Sequence, residues 1–544
     1  MTARNIKSVV IAGGGTAGWM AAAAIAKVLG PRLTLTLVES DEIGIIGVGE
    51  ATIPSITHFN DLLGIDENDF LRQTQGTFKL GIEFVDWYAA GYSYMHAFGA
   101  LGKDLGHIPF HHFWMEQVQH GRDDSLWSYS LNAMAARQNH FARLDRIIDT
   151  PLPGLTYAFH FDASLYAAYL RRLAQQMGVQ RVEGMIAQVV QHPESGDVSQ
   201  LRLKDGREIA GDLFIDCTGF RGLLIEQALQ VGYEDWSGWL PCDRALAVPT
   251  ERVSPLAPYT RSTALEAGWQ WRIPLQHRTG NGLVYSSAHI EDDRAAQLLL
   301  ANVDARALGE PRRIRFVTGR RRQLWSHNVV CLGLASGFVE PLESTAIHLI
   351  QANIQRLILL FPHHGDSEHR RAHFNQAAAA EYEFVRDFIF LHYHLNNRTG
   401  ERFWDDCRHM TVPDSLAYKI ELFRETAGIF PTTHDLFQLT SWLQVMWGQG
   451  VRPRSTHPFV QTVAPHDRAD YLQSIRGLIA QAAGALPRQE DFIDRHCRAM
   501  PAAQAVPAAQ AMPAAQASAP ASSPADPWGS SPTQDASPLL RKTS

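Results

Sequence analysis

The chain opens with a short apolar run, KSVVIA from Lys7 to Ala12. GGGTAG follows, then the alanine-rich stretch WMAAAAIAKVL and a second apolar run, LTLTLVE, from Leu33 to Glu39. Short apolar runs bounded by glycine read as buried strands, and alanine favours the helix between them. The pattern predicts β-α-β, with parallel strands joined by a right-handed crossover. VEGMIAQVVQ, LRLKDGREIAGDLFIDCTG and NVVCLGLAS read as further strands, with a hairpin turn at Asp205–Gly206. AAYLRRLAQQMG, HLIQANIQRLILLF and most of 369–500 read as helices. The nucleotide-type unit, residues 6–50, is thus interrupted by an insertion and expected to resume near 326–365.

Two segments alternate strictly. In TFKLGIEF, Phe78, Leu80, Ile82 and Phe84 fall on one face of a strand, and Lys79, Gly81 and Glu83 on the other. By pattern alone, Lys79 is a solvent-face lysine paired with Glu83. In GWQWRIPL, Trp269 and Trp271 project from one face, and Pro274 ends or edges the strand. From Pro501 the sequence repeats PAAQAV, PAAQAM and PAAQAS, then runs to its end in Ser, Pro and Ala. So few large apolar groups cannot offset ordering entropy, and 499–544 reads as a disordered tail.

The 544 residues carry a net charge of −7, with 45% apolar and 19% charged residues, which is ordinary for a globular protein. That balance does not favour nucleic acid. The arginine-rich run PRRIRFVTGRRRQ reads as a solvated strand pair turning at Gly319. Five dispersed cysteines without a CxxC argue against a disulfide framework or thiolate metal site. His107, His111 and His112 lack the HExxH spacing of a zinc site, so no metal is expected. No signal-peptide architecture and no apolar run of membrane-spanning length is visible, so the expectation is cytoplasmic, without a membrane.

GGGTAG places Gly13, Gly15, Thr16, Ala17 and Gly18 after a strand and at the opening of a helix. Glu39 follows at the end of the next strand, 21 positions after Gly18. Glycine amides and a helix N-terminus hold a pyrophosphate, and the acid binds ribose hydroxyls while repelling a 2′-phosphate. GDLFIDCTGFRG and VVCLGLASGFVEPLEST, each a strand running into a small-residue turn, favour FAD over NAD.

GGGTAGWM, GVGEATIP (Gly47 to Pro54), TFKLGIEF, GWQWRIP and GFVEPLEST occur in this order and resemble the motifs of the flavin-dependent halogenases of the tryptophan-halogenase type, from about residue 6 to 450. The resemblance implies an α/β chain. Residues 1–365 would form a Rossmann-type FAD-binding module of the flavin monooxygenase kind with an inserted β-rich substrate region, and 366–498 a mainly helical C-terminal lobe. It implies FAD reduced by a separate NADH-dependent flavin reductase, with Ala51 and Leu334 as further cofactor contacts. Oxygen would form a flavin hydroperoxide, and a halide held at Thr345 and Ala346 would become hypohalous acid. Lys79 would direct that oxidant as a haloamine or by hydrogen bonding, with Ser344 orienting it. Glu343, by pattern alone an acid at a helix N-terminus, would stabilise or deprotonate the cationic ring. Trp269 and Trp271 would wall the flavin from the substrate.

His111 and Phe113 supply the H-x-F pair of the region where tryptophan-type members stack the indole. Ala346 stands where tryptophan-specific members have glycine, which suggests a shift toward bromide. Those members also clamp free tryptophan with a tyrosine pair and a glutamate. The corresponding stretch here, LTSWLQVMWGQG, offers Trp442 and Trp447, to stack a guest or to pack helices. The expected activity is therefore bromination or chlorination of an indole-type or larger aromatic. An aromatic monooxygenase and a non-catalytic flavin-binding protein are the rival readings, and a homodimer is left open.

Overall fold

The computed structural model describes residues 6–43, 49–122, 124–362, 368–432 and 435–500. The proposed tail from 501, Gly47 and Val48 of the GVGEATIP motif, and the division near 365 lie outside them. The first β-α-β unit forms as the pattern predicts: strands Ser8–Ala12 and Thr34–Glu39 pair in parallel, with the Thr16–Leu29 helix between them. Ala21 to Ala24 are fully buried, and their small side chains let this helix lie close against the Ala163–Gln176 helix and the sheet.

The six-stranded sheet runs in the order Trp325–Ser326, Val329–Cys331, Leu213–Asp216, Ser8–Ala12, Thr34–Glu39, Gln180–Glu183. All its pairs are parallel except the antiparallel edge Trp325–Ser326. It therefore resumes at 180, well before the expected 326, because the chain returns twice within the presumed insertion. The Asp205–Gly206 turn joins the antiparallel strands Val198–Leu203 and Glu208–Ala210, with Gly206 at φ +88°.

The insertion builds a seven-stranded sheet ordered Arg312–Arg315, Arg244–Glu251, Arg278–Tyr285, Gly268–Pro274, Thr260–Leu265, Gly81–Val85, Ser93–Ala97. A small antiparallel sheet packs beside it: Gly49–Ala51, Ala158–Asp162 and Thr77–Lys79. The arginine-rich run is not one hairpin. Arg312–Arg315 pairs with Arg244–Ala247, whereas Gly319–Arg321 lies in another sheet, with Arg320 and Arg321 buried and paired to Glu383, Glu234 and Glu226. Gly319 sits inside that strand, where a side chain would meet the Glu234 carbonyl.

Residues after 368 are mainly helical, led by Glu368–His394, and belong to the same compact unit as the sheets through Ala499. Among the described residues no helix is long and apolar enough to cross a membrane, and no cluster could hold a metal ion.

Candidate active site

The cofactor end is made by backbone shape. Gly13 has φ +105°, and a Cβ there would lie 2.3 Å from the Cys217 carbonyl oxygen; one on Gly18 would lie 1.9 Å from that of Gly13. A Cβ on Gly15 would meet nothing, so the space over the helix N-terminus is open. That is the cradle a pyrophosphate needs. Thr16 and Ala17 are half-buried beside it, and Ala17 abuts Gly333, so the glycine turn and the Gly333–Ala335 turn meet as a flavin site requires. Leu334 is half-buried in that second turn, and Ala51 ends its short strand with its side chain buried. Glu39 is held by Arg181 (Nε to Oε1, 2.5 Å) and Trp19 (Nε1 to Oε2, 3.3 Å), ready to accept from ribose hydroxyls. These residues fit FAD.

The second end is made by buried charge. Alternation misplaced Lys79 because the segment changes sheets at Leu80: Thr77–Lys79 belongs to the small sheet and Gly81–Val85 to the large one. Glu83 faces solvent and pairs with Arg261, but Lys79 turns inward and is 0% exposed. Its ammonium donates to the Thr52 carbonyl (2.9 Å) and Ser344 Oγ (2.7 Å), 5.2 Å from the Phe98 ring centre. Burial pushes its pKa down to about 7, against the opposing pull of the Glu343 charge.

Glu343 ends the 3-10 turn Pro341–Glu343, rather than lying in the first turn of the following helix. Ser344 then takes a left-handed conformation, φ +59°, and Thr345 caps the Ala346–Leu359 helix. Buried at 1% exposure, Glu343 is clasped by His96 Nδ1 and His392 Nε2, each 2.8 Å away. Burial alone would raise its carboxyl, but the two imidazoles outweigh that and bring it to about 2. With Glu343 ionised, both rings donate to it; burial pushes the His392 imidazole pKa down, and in the neutral ring Nδ1 accepts from the Tyr94 hydroxyl at 2.7 Å. Thr345 Oγ1 is buried without a hydrogen-bond partner among the described residues, at the N-terminus of a fourteen-residue helix.

Trp269 and Trp271 share a face of the Gly268–Pro274 strand, as predicted, with ring centres 6.2 Å apart, and Pro274 is its last residue. Gly282, opposite Trp271, makes room for the indole: a Cβ there would come 2.0 Å from the ring. Gln270 and Arg272 point the other way, into an open polar groove of about 460 Å³.

The expected stacking residues are placed differently. His111 and Phe113 lie two apart on the Phe110–Gln119 helix, hence on nearly opposite faces. His111 Nε2 binds the Ala427 carbonyl (2.9 Å), and Phe113 packs on Tyr471. Another H-x-F, His96–Ala97–Phe98, brings its histidine to Glu343 and its ring to Lys79. Its signal is present in SYMHAFG: His96 is in the Ser93–Ala97 strand and Phe98 directly follows it, and in extended chain residues two apart share a face. Trp442 is 1% exposed, edge-on to Phe388 and covered by Lys419, so helix packing accounts for it; Trp447 packs on Trp114 and Arg452. The sequence pattern does not single out His392, Tyr393 or Glu340, the first glutamate of the EPLEST motif.

The same architecture occurs in solved halogenases. Xcc4156 from Xanthomonas campestris is 49% identical, with a TM-score of 0.88 over 91% of this chain and 99% of that one. BrvH from Brevundimonas sp. BAL3 is 45% identical, with a TM-score of 0.87 over 90% and 99%. Both are flavin-dependent halogenases, and this chain is an enzyme of that class. It belongs to the tryptophan halogenase family, whose model matches residues 8–465. The tryptophan 6-halogenase SttH from Streptomyces toxytricini is 35% identical over 519 residues, 90% of this chain and 98% of that protein.

Proposed function

We propose that this halogenase acts on an electron-rich, indole-type aromatic other than free tryptophan, with Lys79 directing hypohalous acid and Glu343 receiving the ring proton. The observation that carries this reading is the buried Lys79–Ser344 hydrogen bond next to Glu343, whose carboxylate two imidazoles hold. FAD, reduced by a separate NADH-dependent flavin reductase, would supply with oxygen the two-electron oxidant that turns halide into hypohalous acid. Two of the Lys79 hydrogen-bond directions are occupied by Thr52 and Ser344. The third is left for the oxidant: an N–H donor when the amine is charged, a lone pair when it is neutral. A pKa of about 7 keeps both forms present near neutrality.

Substitution balances as arene plus hypohalous acid giving haloarene and water. The ring passes through a cation, which the Glu343 carboxylate stabilises and deprotonates. A carboxylate with a pKa of about 2 is a weak base, but a ring cation is a strong acid, so it suffices. Thr345 and Ala346 would hold the halide at the positive end of their helix, where the unpaired Thr345 hydroxyl offers a donor. Trp269 and Trp271 would keep substrate from flavin while a small oxidant passes.

Against free tryptophan stand two facts. Residues 439–450 contain neither a tyrosine pair nor an acid to anchor a zwitterion. Identity is also higher to the two halogenases whose names specify no substrate than to the tryptophan 6-halogenase. The test supplies FAD, an unrelated flavin reductase with NADH, oxygen, catalase, bromide and indole, and looks by mass spectrometry for the bromine isotope doublet. Wild type should give bromoindole, Lys79→Ala none, and L-tryptophan little product. Efficient, regioselective turnover of tryptophan would refute the substrate, and full activity of Lys79→Ala the mechanism. With equal bromide and chloride, brominated product should dominate.

A further inference from the structure

Glu340 is 0% exposed, three residues before Glu343. Its Oε2 accepts the Trp269 indole N–H at 2.7 Å and the Tyr393 hydroxyl at 2.6 Å. Its Oε1 is buried with no hydrogen-bond partner among the described residues. A buried carboxylate bound only by neutral donors, and half-satisfied, is costly to fold and calls for a reason.

The surroundings supply one. His392 and Tyr393 are neighbours on the Glu368–His394 helix, and they bind Glu343 and Glu340, respectively. The second partner of each carboxylate comes from the seven-stranded sheet: His96 for Glu343 and Trp269 for Glu340. The short turn between the two glutamates is therefore pinned at both ends to the same helix and the same sheet. Trp269 is enclosed by Trp87 and Trp271, with ring centres 6.3 and 6.2 Å away. Glu340 accepts its indole N–H, so loss of this carboxylate would leave a buried donor unpaired.

We infer that Glu340 is a positioning residue, which ties the tryptophan wall to the turn bearing Glu343 and Ser344 so that oxidant reaches Lys79 instead of escaping. The inference rests on the functional reading above. Glu340 touches neither substrate nor the reacting atoms in this role; it acts through Trp269.

The test compares wild type with Glu340→Ala, Glu340→Gln and Trp269→Phe. Glutamine keeps the acceptor oxygen and removes the charge; phenylalanine keeps a ring and removes the N–H. Two quantities are read. The first, independent of turnover, is solvent exchange of the Trp269 indole proton in protein labelled at the tryptophan indole nitrogen, its signal assigned by loss in Trp269→Phe. Protection is expected in wild type and Glu340→Gln, and fast exchange in Glu340→Ala. The second is partition: haloarene formed against hypohalous acid trapped by taurine, per NADH consumed, with catalase present. Glu340→Ala and Trp269→Phe should each raise the trapped share by about fivefold or more, the size a lost buried hydrogen bond allows, and Glu340→Gln should not. An indole proton still protected in Glu340→Ala, or wild-type partition in Trp269→Phe, overturns the tether. So does a Glu340→Gln variant as leaky as Glu340→Ala. Wild type that yields no haloarene while the exchange results hold would sink the functional reading and leave the indole tether standing.

Discussion

Two carboxylates three residues apart are held in matching ways and come out opposite. Each is buried, and each is bound by one residue of the Glu368–His394 helix and one from the seven-stranded sheet. Glu343 has imidazoles as partners and is drawn down to about 2. Glu340 has an indole and a phenol; burial raises its carboxyl to about 7, with Tyr393 and Trp269 only partly opposing it. Burial is common to both, so the partner decides. A ring that can carry a proton outweighs the desolvation of the charge, and a neutral hydroxyl or indole does not. One turn thus carries one carboxyl that its partners draw down and another that burial pushes up, the contrast on which the proposed roles of Glu343 and Glu340 rest.

The sharpest way to break this contrast is to make the same change at both positions. Glu343→Gln should lower halogenation by about 10²–10⁴, the range of a lost general base or charge stabiliser, through kcat rather than KM. Glu340→Gln should leave the rate within about threefold, because a carbonyl oxygen still accepts from Trp269 and Tyr393. Equal losses would mean that both carboxylates act by charge.

Next in size is the effect of Glu343 on Lys79. Burial lowers the lysine and the Glu343 charge pulls it back up, so the amine stands at about 7. In Glu343→Gln the upward pull disappears, and the limb of the residual pH–rate profile that reports Lys79 should move to lower pH. The direction holds whether the ammonium or the amine is the working form. A limb that stays in place would show that the two groups do not interact. A related shift should follow His96→Phe. His96 is the largest of the causes that lower the Glu343 carboxyl, so its loss lets that carboxyl rise and moves the acid limb of the profile upward.

The two ends of the site differ in how much of them can be read from sequence. The cofactor end depends on glycines at fixed spacing, and Gly13, Gly15, Gly18 and Glu39 stand where the pattern puts them. Conformation there is a local property, carried by a few consecutive residues. The lysine end depends on which residues burial brings together from distant parts of the chain. Lys79 was misread by alternation because a sheet switch at Leu80 cannot be seen as a period. His111 and Phe113 form an H-x-F in a helix, whereas the H-x-F at the end of the Ser93–Ala97 strand, His96 and Phe98, reaches Glu343 and Lys79. His392 and Tyr393 lie within a long helix of unremarkable sequence, and nothing local marks them as partners of residues some fifty positions earlier. The tryptophans were legible because two large aromatics on one strand face are themselves a local pattern.

The smallest predicted effect concerns stability, and it isolates Glu340 from catalysis. A carboxyl raised from 4.5 to about 7 on folding holds its proton in the native state while the unfolded chain has released it. Below about 4.5 both states are protonated, and wild type and Glu340→Gln should unfold at similar temperatures, since glutamine mimics the neutral acid. Between 4.5 and 7 the unfolded state binds fewer protons, so wild type loses stability as pH rises. Above about 7 the loss is complete, and Glu340→Gln should exceed wild type by something on the order of 3 kcal/mol. Thermal melts of both proteins across this interval, without flavin or halide, measure the gap. A gap that opens with rising pH would place an ionisable, weakly compensated carboxyl beside Trp269. A gap that is constant, or that closes, would mean Glu340 is already ionised and stabilised when the protein folds, and the contrast with Glu343 would fall.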